Sequence, residues 1–390
     1  MSVKIVCMTT DVTDNAAGRP RIGIIGGGLI ATVHSRAARA AGAELAGIAS
    51  SSAKTAEAAR LRLSISTAYP SVDAMLSDES IDVIHICTPN ASHPEFALAA
   101  LEAGKDVICE KPLATSASSA YELMVRAERL SRIVSVPFVY RFHAMVREAR
   151  ARVLAGAVGR IFVIQASYLQ DWLLSSDDDD WRVETAIGGP SRAFADIGSH
   201  LCDLIEFVTD DRISRLNAVM RTVHRDRNRS KSIDTEDAVA LVFETTSGVL
   251  GTILVSQVSA GRKNRLSFEI SGERESLFFD QENPETLWLG KRTGFHHIVR
   301  DAATLHPSAA RYSIVPPGHA QGYQDAFNAF VSDSYQARTG ETPDGLPTFA
   351  DGYRAAVLTE AVLKSHETGG WVDTPHSAAA IELVNVARRS

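Results

Sequence analysis

The sequence predicts an α/β chain in two parts: a doubly wound parallel-sheet domain followed by an α+β domain. Three observations carry this. From Arg21 to about residue 142, short Val- and Ile-rich runs alternate with helical stretches. The first run enters a triple-glycine turn. Beyond residue 144 the alternation gives way to one strand pattern after another. Nearly continuous apolar strands separated by helices belong to a parallel sheet covered on both faces. At 390 residues the chain exceeds what one core ordinarily supports, so two domains are the default.

Taken in order, RIGIIGGG (21–28) is a buried strand entering the turn, and LIATVHSRAARAAG (29–42) is the helix that follows. ELAGIAS (44–50) is the second strand, with helices over 53–63 and 71–80. IDVIHICTP (81–89) is a buried strand, HPEFALAALEAG (93–104) a helix closed by glycine, and KDVICEKP (105–112) another strand. Helix 121–132 and strand 133–142 complete the first domain, over residues 21–143. The second domain, 144–390, opens with a helix over 143–156 and a strand over 161–168. A Gly-Gly-Pro segment and its helix follow. Six strand patterns then run between 215 and 290, several alternating apolar with polar as in an antiparallel sheet with one face on a core. Helices return at 323–338 and 351–368.

Composition sets the class. The 45% hydrophobic and 22% charged residues describe a soluble globular protein. A net charge of −7 counts against a nucleic-acid or anionic-membrane surface, and no apolar run nears the roughly 18 residues of a membrane helix. The basic run 221–231 reads as an exposed hairpin loop without the aromatics that nucleic acid would need. Cys7, Cys87, Cys109 and Cys202 are scattered without C-x-x-C spacing, which predicts a reduced, cytoplasmic protein. Residues 1–20 read as a loosely ordered extension whose apolar patch is too short for a signal peptide.

Gly26-Gly27-Gly28-Leu29-Ile30-Ala31 satisfies G-x-G-x-x-A between a strand and a helix. There Gly26 permits the tight turn and Gly28 lets a pyrophosphate approach the backbone. Ala31 allows close packing, and the helix start at Leu29 and Ile30 offers N–H donors. The expected cofactor is a nicotinamide dinucleotide. The second strand ends in Ser50 and Ser51, with Lys54 nearby, where an NAD-binding acid would stand. NAD and NADP both remain open.

Two further motifs lie at the carboxyl ends of strands, where such sheets bind ligands. One is Thr88-Pro89-Asn90-Ala91-Ser92-His93; the other is Glu110-Lys111-Pro112, with its lysine held extended before proline. In the second domain Asp196, His200 and Asp203 are spaced to share one helical face if a helix begins near Asp196. On the residues alone they are caps, metal ligands or an acid/base set.

These motifs in this order resemble the signature of the Gfo/Idh/MocA oxidoreductases, from Arg21 over nearly the whole chain. Within that family the sequence is most similar to bacterial levoglucosan dehydrogenases. The resemblance implies a Rossmann domain and a second domain with a large, mostly antiparallel open-faced sheet that builds a homo-oligomer, a tetramer or dimer. It places Lys111, Asp196 and His200 at the nicotinamide, explains them without a metal, and leaves Asp203 a supporting role. It implies an NAD(P)-dependent dehydrogenase for a ring hydroxyl of a sugar or anhydrosugar, with His200 as base and levoglucosan as the narrow expectation. Other sugar or inositol dehydrogenases, and glycosidases that retain NAD, share the pattern. In such an enzyme Thr88, Asn90, His93 and Glu110 would line the cofactor. Tyr140, Arg141, Gln170, Trp172, Trp181 and His319 are pocket candidates, the tryptophans as walls for a sugar and Arg141 alternatively as a domain brace.

Overall fold

The computed structural model describes residues 19–375, so the expectation for the N-terminal extension falls outside it except at Arg19 and Pro20. In the first domain β1 (Arg21–Ile25) leads to α1 (Leu29–Ala40), and β2 (Glu44–Ala49) to α2 (Ala53–Leu63). Short β3 (Thr67–Ala68) and α3 (Val72–Leu76) precede β4 (Val83–Ile86), α4 (His93–Glu102) and β5 (Asp106–Cys109). Helix α5 (Ala117–Arg129) and β6 (Val134–Ser135) complete the sheet. All its pairings are parallel, in the order β3-β2-β1-β4-β5-β6. The order reverses between β1 and β4, which opens a ligand crevice at their carboxyl ends. Ile22, Ile24, Ile48, Ile84 and Ile86 are wholly buried, because helices cover both faces.

The stretch 133–142, expected as a full strand, supplies only β6. Pro137 cannot donate to a ladder, and Val139–Phe142 coil instead into a 3-10 turn that carries Tyr140 and Arg141.

In the second domain α6 (Ala144–Leu154) leads to β7 (Ile161–Leu169), and α7 (Thr185–Gly188) to α8 (Ser199–Thr209). Then come β8 (Ile213–Arg221), β9 (Ala238–Thr245), β10 (Leu250–Ser256), β11 (Arg265–Gly272), β12 (Ser276–Asp280), β13 (Thr286–Lys291) and β14 (Gly294–Val299). Helices α9 (Pro307–Ala310), α10 (Tyr323–Gln336) and α11 (Phe349–Thr368) precede β15 (Val372–Asp373). The nine strands are ordered β14-β13-β12-β11-β7-β10-β9-β8-β15, and only β7 and β10 pair in parallel. Strands β3, β14 and β15 were not legible in the sequence. Two have only two residues each, and β14 is an edge strand exposed at nearly every position.

One face of this sheet is core, through residues such as Ile164, Ile253, Phe243 and Leu216. The other leaves Val163, Val219, Val242, Leu250, Leu254 and Phe295 exposed. The last two long helices turn back onto the first domain: α10 packs on α1, and α11 on α5. Phe349, Tyr353 and Ala356 of α11 thereby join the nucleotide-domain core.

Packing is tight at Gly251, where an added Cβ would stand 2.1 Å from the Phe243 ring. Gly251→Val should therefore destabilise the fold by about 1–3 kcal/mol, read as a lowered Tm. Gly248→Val would be a poor control because Gly248 has a positive φ, whereas Gly322→Ala meets nothing within 4 Å and should cost much less.

Candidate active site

The glycine turn is built as its motif requires. Gly26 has φ +97, and a Cβ there would lie 2.6 Å from the Cys87 carbonyl oxygen. Gly28 caps α1, and a Cβ on it would meet nothing within 4 Å, so the space a pyrophosphate would enter is clear. Leu29 is 87% exposed at the helix start, while Ile30 is partly buried against the core. Beyond β2, Ser52 caps α2 in a reciprocal box with Thr55, and Ser51 Oγ lies 3.3 Å from Thr55 Oγ1. Hydroxyls and the first turn of α2 occupy the place of the expected acid. Arg62 also donates to the Gly27 carbonyl, bringing a cation that sequence reading did not place there. These residues fit a dinucleotide, with the ribose end tolerant of either hydroxyl or phosphate.

The two edge loops are fastened to each other and to the second domain. His93 Nδ1 faces the Pro112 carbonyl at 2.7 Å, and its Nε2 faces the Thr88 carbonyl at 2.8 Å. Thr88 Oγ1 accepts from Ser92. Asn90 Nδ2 donates to the Gly188 carbonyl at 2.8 Å, tying the nucleotide domain to the Gly-Gly-Pro segment. In that segment Gly188 leaves no room for a Cβ against the Arg182 carbonyl, and Gly189 has φ +99.

The second-domain side of the site begins as a π-turn, Phe194–Gly198, that runs into α8. The expected regular helix from Asp196 is thus wound wider at its start. Gly198 is required there because a Cβ would lie 2.4 Å from the Phe194 ring. Buried Glu236 anchors this entry, accepting from Ser191 Oγ, Arg192 N and Phe194 N.

The cleft centres on Lys111. Its Nζ donates to Asp196 Oδ1 at 2.6 Å and to the Asp196 carbonyl at 2.9 Å. Asp196 Oδ2 accepts from Gln257 Nε2 at 2.8 Å, and Arg182 Nε stands 3.7 Å from Oδ1. Burial pushes this carboxyl up, but the charges of Lys111 and Arg182 win and hold it at about 2. Asp196 is therefore the counter-ion of Lys111.

His200 sits beside this pair, boxed edge-on by Phe138 at 5.6 Å and Tyr140 at 5.0 Å, with Tyr168 at 6.4 Å. Its Nδ1 is buried and has no hydrogen-bond partner among the described residues. Burial, and then the charge of Lys111, depress it to about 3, against a smaller opposing pull from Asp196. Tyr323, at the start of α10, has its ring 6.2 Å from that of Tyr140, and burial and then the charge of Glu110 push its phenol well up.

Asp203 is turned elsewhere. It and Asp351 flank Arg141, whose Nε lies 2.8 Å from Asp203 Oδ2 and whose Nη2 lies 2.7 Å from Asp351. Burial raises the Asp203 carboxyl to about 7 even beside this arginine. Arg141 thus binds the end of the first domain to α8 and α11 and braces the junction. Glu110 is buried, with its two oxygens taken by His34 and by the Lys111 backbone N–H.

A polar set lines the sheet side. The hydroxyls of Tyr140 and Tyr168 are hydrogen-bonded to each other, and Tyr168 donates to Asn264 Oδ1 at 2.7 Å. Gln170 donates to the same oxygen and accepts from Trp172 Nε1, both at 2.8 Å. The Arg182 guanidinium lies 4.4 Å from the Trp181 ring centroid. His319 is exposed in the loop before α10 and is held there by its carbonyl, which accepts from Arg300.

The basic run 221–231, read as an exposed hairpin loop, proves to be the partner of the acidic loop 177–180. Arg227 is buried and donates to the carbonyls of Leu173, Ser175 and Asp178, while Asp179 accepts from the backbone of Arg229 and Ser230. Arg182, Gln257, Tyr323 and Asn264 escaped the sequence reading. Only Arg182, beside Trp181, had a usable signal.

A dinucleotide crevice facing a lysine, a carboxylate and a neutral imidazole defines an oxidoreductase. Residues 20–138 match the model of the oxidoreductase family with an NAD-binding Rossmann fold, and residues 146–278 match the Gfo/Idh/MocA C-terminal domain. The chain belongs to the Gfo/Idh/MocA oxidoreductases. It is 29% identical to the levoglucosan dehydrogenase of Pseudarthrobacter phenanthrenivorans over 92% of this chain and 99% of that one. It is 26% identical to a glucose-6-phosphate 3-dehydrogenase of Bacillus subtilis, over 87% of this chain and 94% of the relative. A levoglucosan dehydrogenase structure in complex with NADH and L-sorbose superposes with a TM-score of 0.87 at 29% identity, covering 92% of this chain and all of that one.

The depressed imidazole has a testable consequence. With a folded value near 3 against an unfolded value of about 6.5, the unfolded chain binds the extra proton between those limits. His200 therefore adds stability above pH 6.5 that is lost as the pH falls towards 3, about 2 kcal/mol of it by pH 5. The His200 ring resonances, assigned by comparison with His200→Gln, should show no titration between pH 5 and 8. A midpoint near 6.5 would contradict the burial of this ring.

Proposed function

We propose that the protein is an NAD-dependent dehydrogenase that oxidises a secondary ring hydroxyl of a sugar or anhydrosugar, with levoglucosan to its 3-keto form as the narrow case. The observation that carries the reading is the Lys111–Asp196 ion pair, set across the mouth of the dinucleotide crevice beside an uncharged His200.

In this reading Lys111 lies against the substrate hydroxyl oxygen and stabilises the negative charge that develops there. His200, neutral at working pH, accepts the hydroxyl proton as the adjoining C–H bond breaks. Bound NAD supplies the hydride acceptor, held by the glycine turn and the loops bearing Thr88 and Asn90. Asp196 aims Lys111 through its carboxylate and its carbonyl. Gln170, Trp172, Trp181 and Arg182 form the side of the pocket that takes the remaining hydroxyls and the apolar face of the ring. Likeness to relatives acting on levoglucosan and on glucose 6-phosphate supports a carbohydrate substrate.

A homo-oligomer is part of the same proposal, supported by the exposed apolar residues Val163, Val219, Leu250 and Phe295 on one face of the large sheet. So is a cytoplasmic setting, with which the buried free thiols of Cys87, Cys109 and Cys202 accord. No helix among the described residues is long and apolar enough to cross a membrane.

The deciding experiment follows nicotinamide reduction with levoglucosan, glucose or myo-inositol, each with NAD or NADP. Reduction with levoglucosan and NAD, and little with the others, is the expected result. Reduction only with another sugar would discard the narrow substrate, and none with any sugar would discard the dehydrogenase reading. Lys111→Ala should lower kcat at least about 1,000-fold, since it removes the charge that meets the alkoxide. NAD affinity, measured by calorimetry, should change by less than about threefold.

A further inference from the structure

We propose that Tyr335, His85 and His34 form a positioning relay that fixes the charge and orientation of Glu110 and, through it, the seat of Lys111. The proposal rests on Lys111 serving the dehydrogenase chemistry above. Four side chains from separate parts of the fold stand in line. The Tyr335 hydroxyl on α10 lies 2.9 Å from His85 Nε2 on β4. His85 Nδ1 lies 2.9 Å from His34 Nδ1 on α1, and His34 Nε2 lies 3.0 Å from Glu110 Oε1. The second Glu110 oxygen accepts the Lys111 backbone N–H at 3.0 Å. Both histidines are wholly buried, and Glu110 and Tyr335 nearly so.

The chemistry of the two ends sets the direction of every proton. A carboxylate only accepts, so His34 must carry its hydrogen on Nε2, which leaves Nδ1 a lone pair. His85 must then donate from Nδ1, which leaves its Nε2 to accept from Tyr335. In this order both rings are neutral and all four ring nitrogens are satisfied. The reverse order would need a protonated Glu110 and would leave the Tyr335 hydrogen without an acceptor among the described residues. Burial favours the uncharged forms of His85 and Tyr335, which suits the first order. Burial also works against the Glu110 charge, but the hydrogen bond from His34, with the charge of Lys111, outweighs it. Arg182 and Tyr323 also feel the Glu110 charge.

A buried polar chain is costly unless every member is satisfied, and this one is. Its end beside Lys111 gives it a role that packing alone does not. Removing the Tyr335 hydrogen leaves the His85 Nε2 lone pair without its donor, while the Glu110 carboxylate still sets both tautomers. Removing the His34 ring instead takes the donor from Glu110 Oε1, and the carboxylate that accepts the Lys111 backbone N–H loses its second anchor.

Long-range proton–nitrogen NMR on the 15N-labelled full-length protein tests the assignment, with His34→Gln and His85→Gln for identification. His34 should be the Nε2–H tautomer and His85 the Nδ1–H tautomer, the latter unchanged from pH 6 to 8. The opposite tautomers, or a cationic ring, would overturn the relay. Tyr335→Phe should keep both tautomers. His34→Leu should lower kcat about tenfold, with the sugar KM and NAD affinity within about twofold, and His34→Gln, which keeps an N–H donor, should recover most of the loss. Altered tautomers in Tyr335→Phe, or an unchanged kcat in His34→Leu, would overturn the proposal. Because the tautomers are read without substrate, they decide the relay even if no sugar is oxidised, an outcome that would fail the dehydrogenase reading instead.

Discussion

The ion pair between Lys111 and Asp196 is the constraint on which the site depends. It joins the end of a parallel-sheet strand to the first turn of a helix in the other domain, so neither charge can be set without both domains in register. A lysine and a carboxylate out of bulk water are expensive to desolvate, and the geometry must return that cost. Here Asp196 takes hydrogen bonds on both oxygens and has a second cation, Arg182, close by. The Asp196 carboxylate is accordingly ionised over the whole range in which a dehydrogenase works. The two partners are themselves fixed, Lys111 by Glu110 behind it and the Asp196 turn by Glu236.

The loops around the pair are tied by side chains that look like ligand-binding residues in the sequence. His93 spans two carbonyls, Asn90 reaches Gly188, and Arg141 bridges Asp203 and Asp351. Such motif residues hold the backbone of the loops that rim the crevice. The acidic and basic loops that clamp each other at 177–180 and 221–231 do the same for the wall bearing Trp181 and Arg182.

Much of this was legible in the sequence because it is local. The parallel strands are short apolar runs, the glycine turn is contiguous, and the Glu-Lys-Pro and Gly-Gly-Pro segments carry their own backbone signals. What escaped is non-local. Gln257, just past the end of β10, lies 61 residues beyond Asp196, and nothing in its neighbourhood marks the contact. Asp203 sits seven positions after Asp196, but its side chain answers to Arg141 from the first domain. The strand expected at 133–142 failed because Pro137 ends the ladder, and tertiary packing then turned Tyr140 towards His200.

The low proton affinity of His200 looks at first like a poor property for a base, and the source of that affinity answers the objection. Burial depresses the ring most, and the charge of Lys111 adds to it. That same charge lowers the pKa of any hydroxyl placed between the two side chains, so donor and acceptor move down together and part of the mismatch cancels. What remains is a neutral ring, set edge-on to Phe138 and Tyr140 with Tyr168 tilted beside it, and needing no solvent reorganisation when the proton arrives. The cost of making an imidazolium in this box is met only while the C–H bond is breaking and the oxygen is losing its negative charge to the forming carbonyl. In the proposed reaction, proton and hydride loss are therefore coupled by the walls of the site, with Lys111 meeting the negative charge that develops between them.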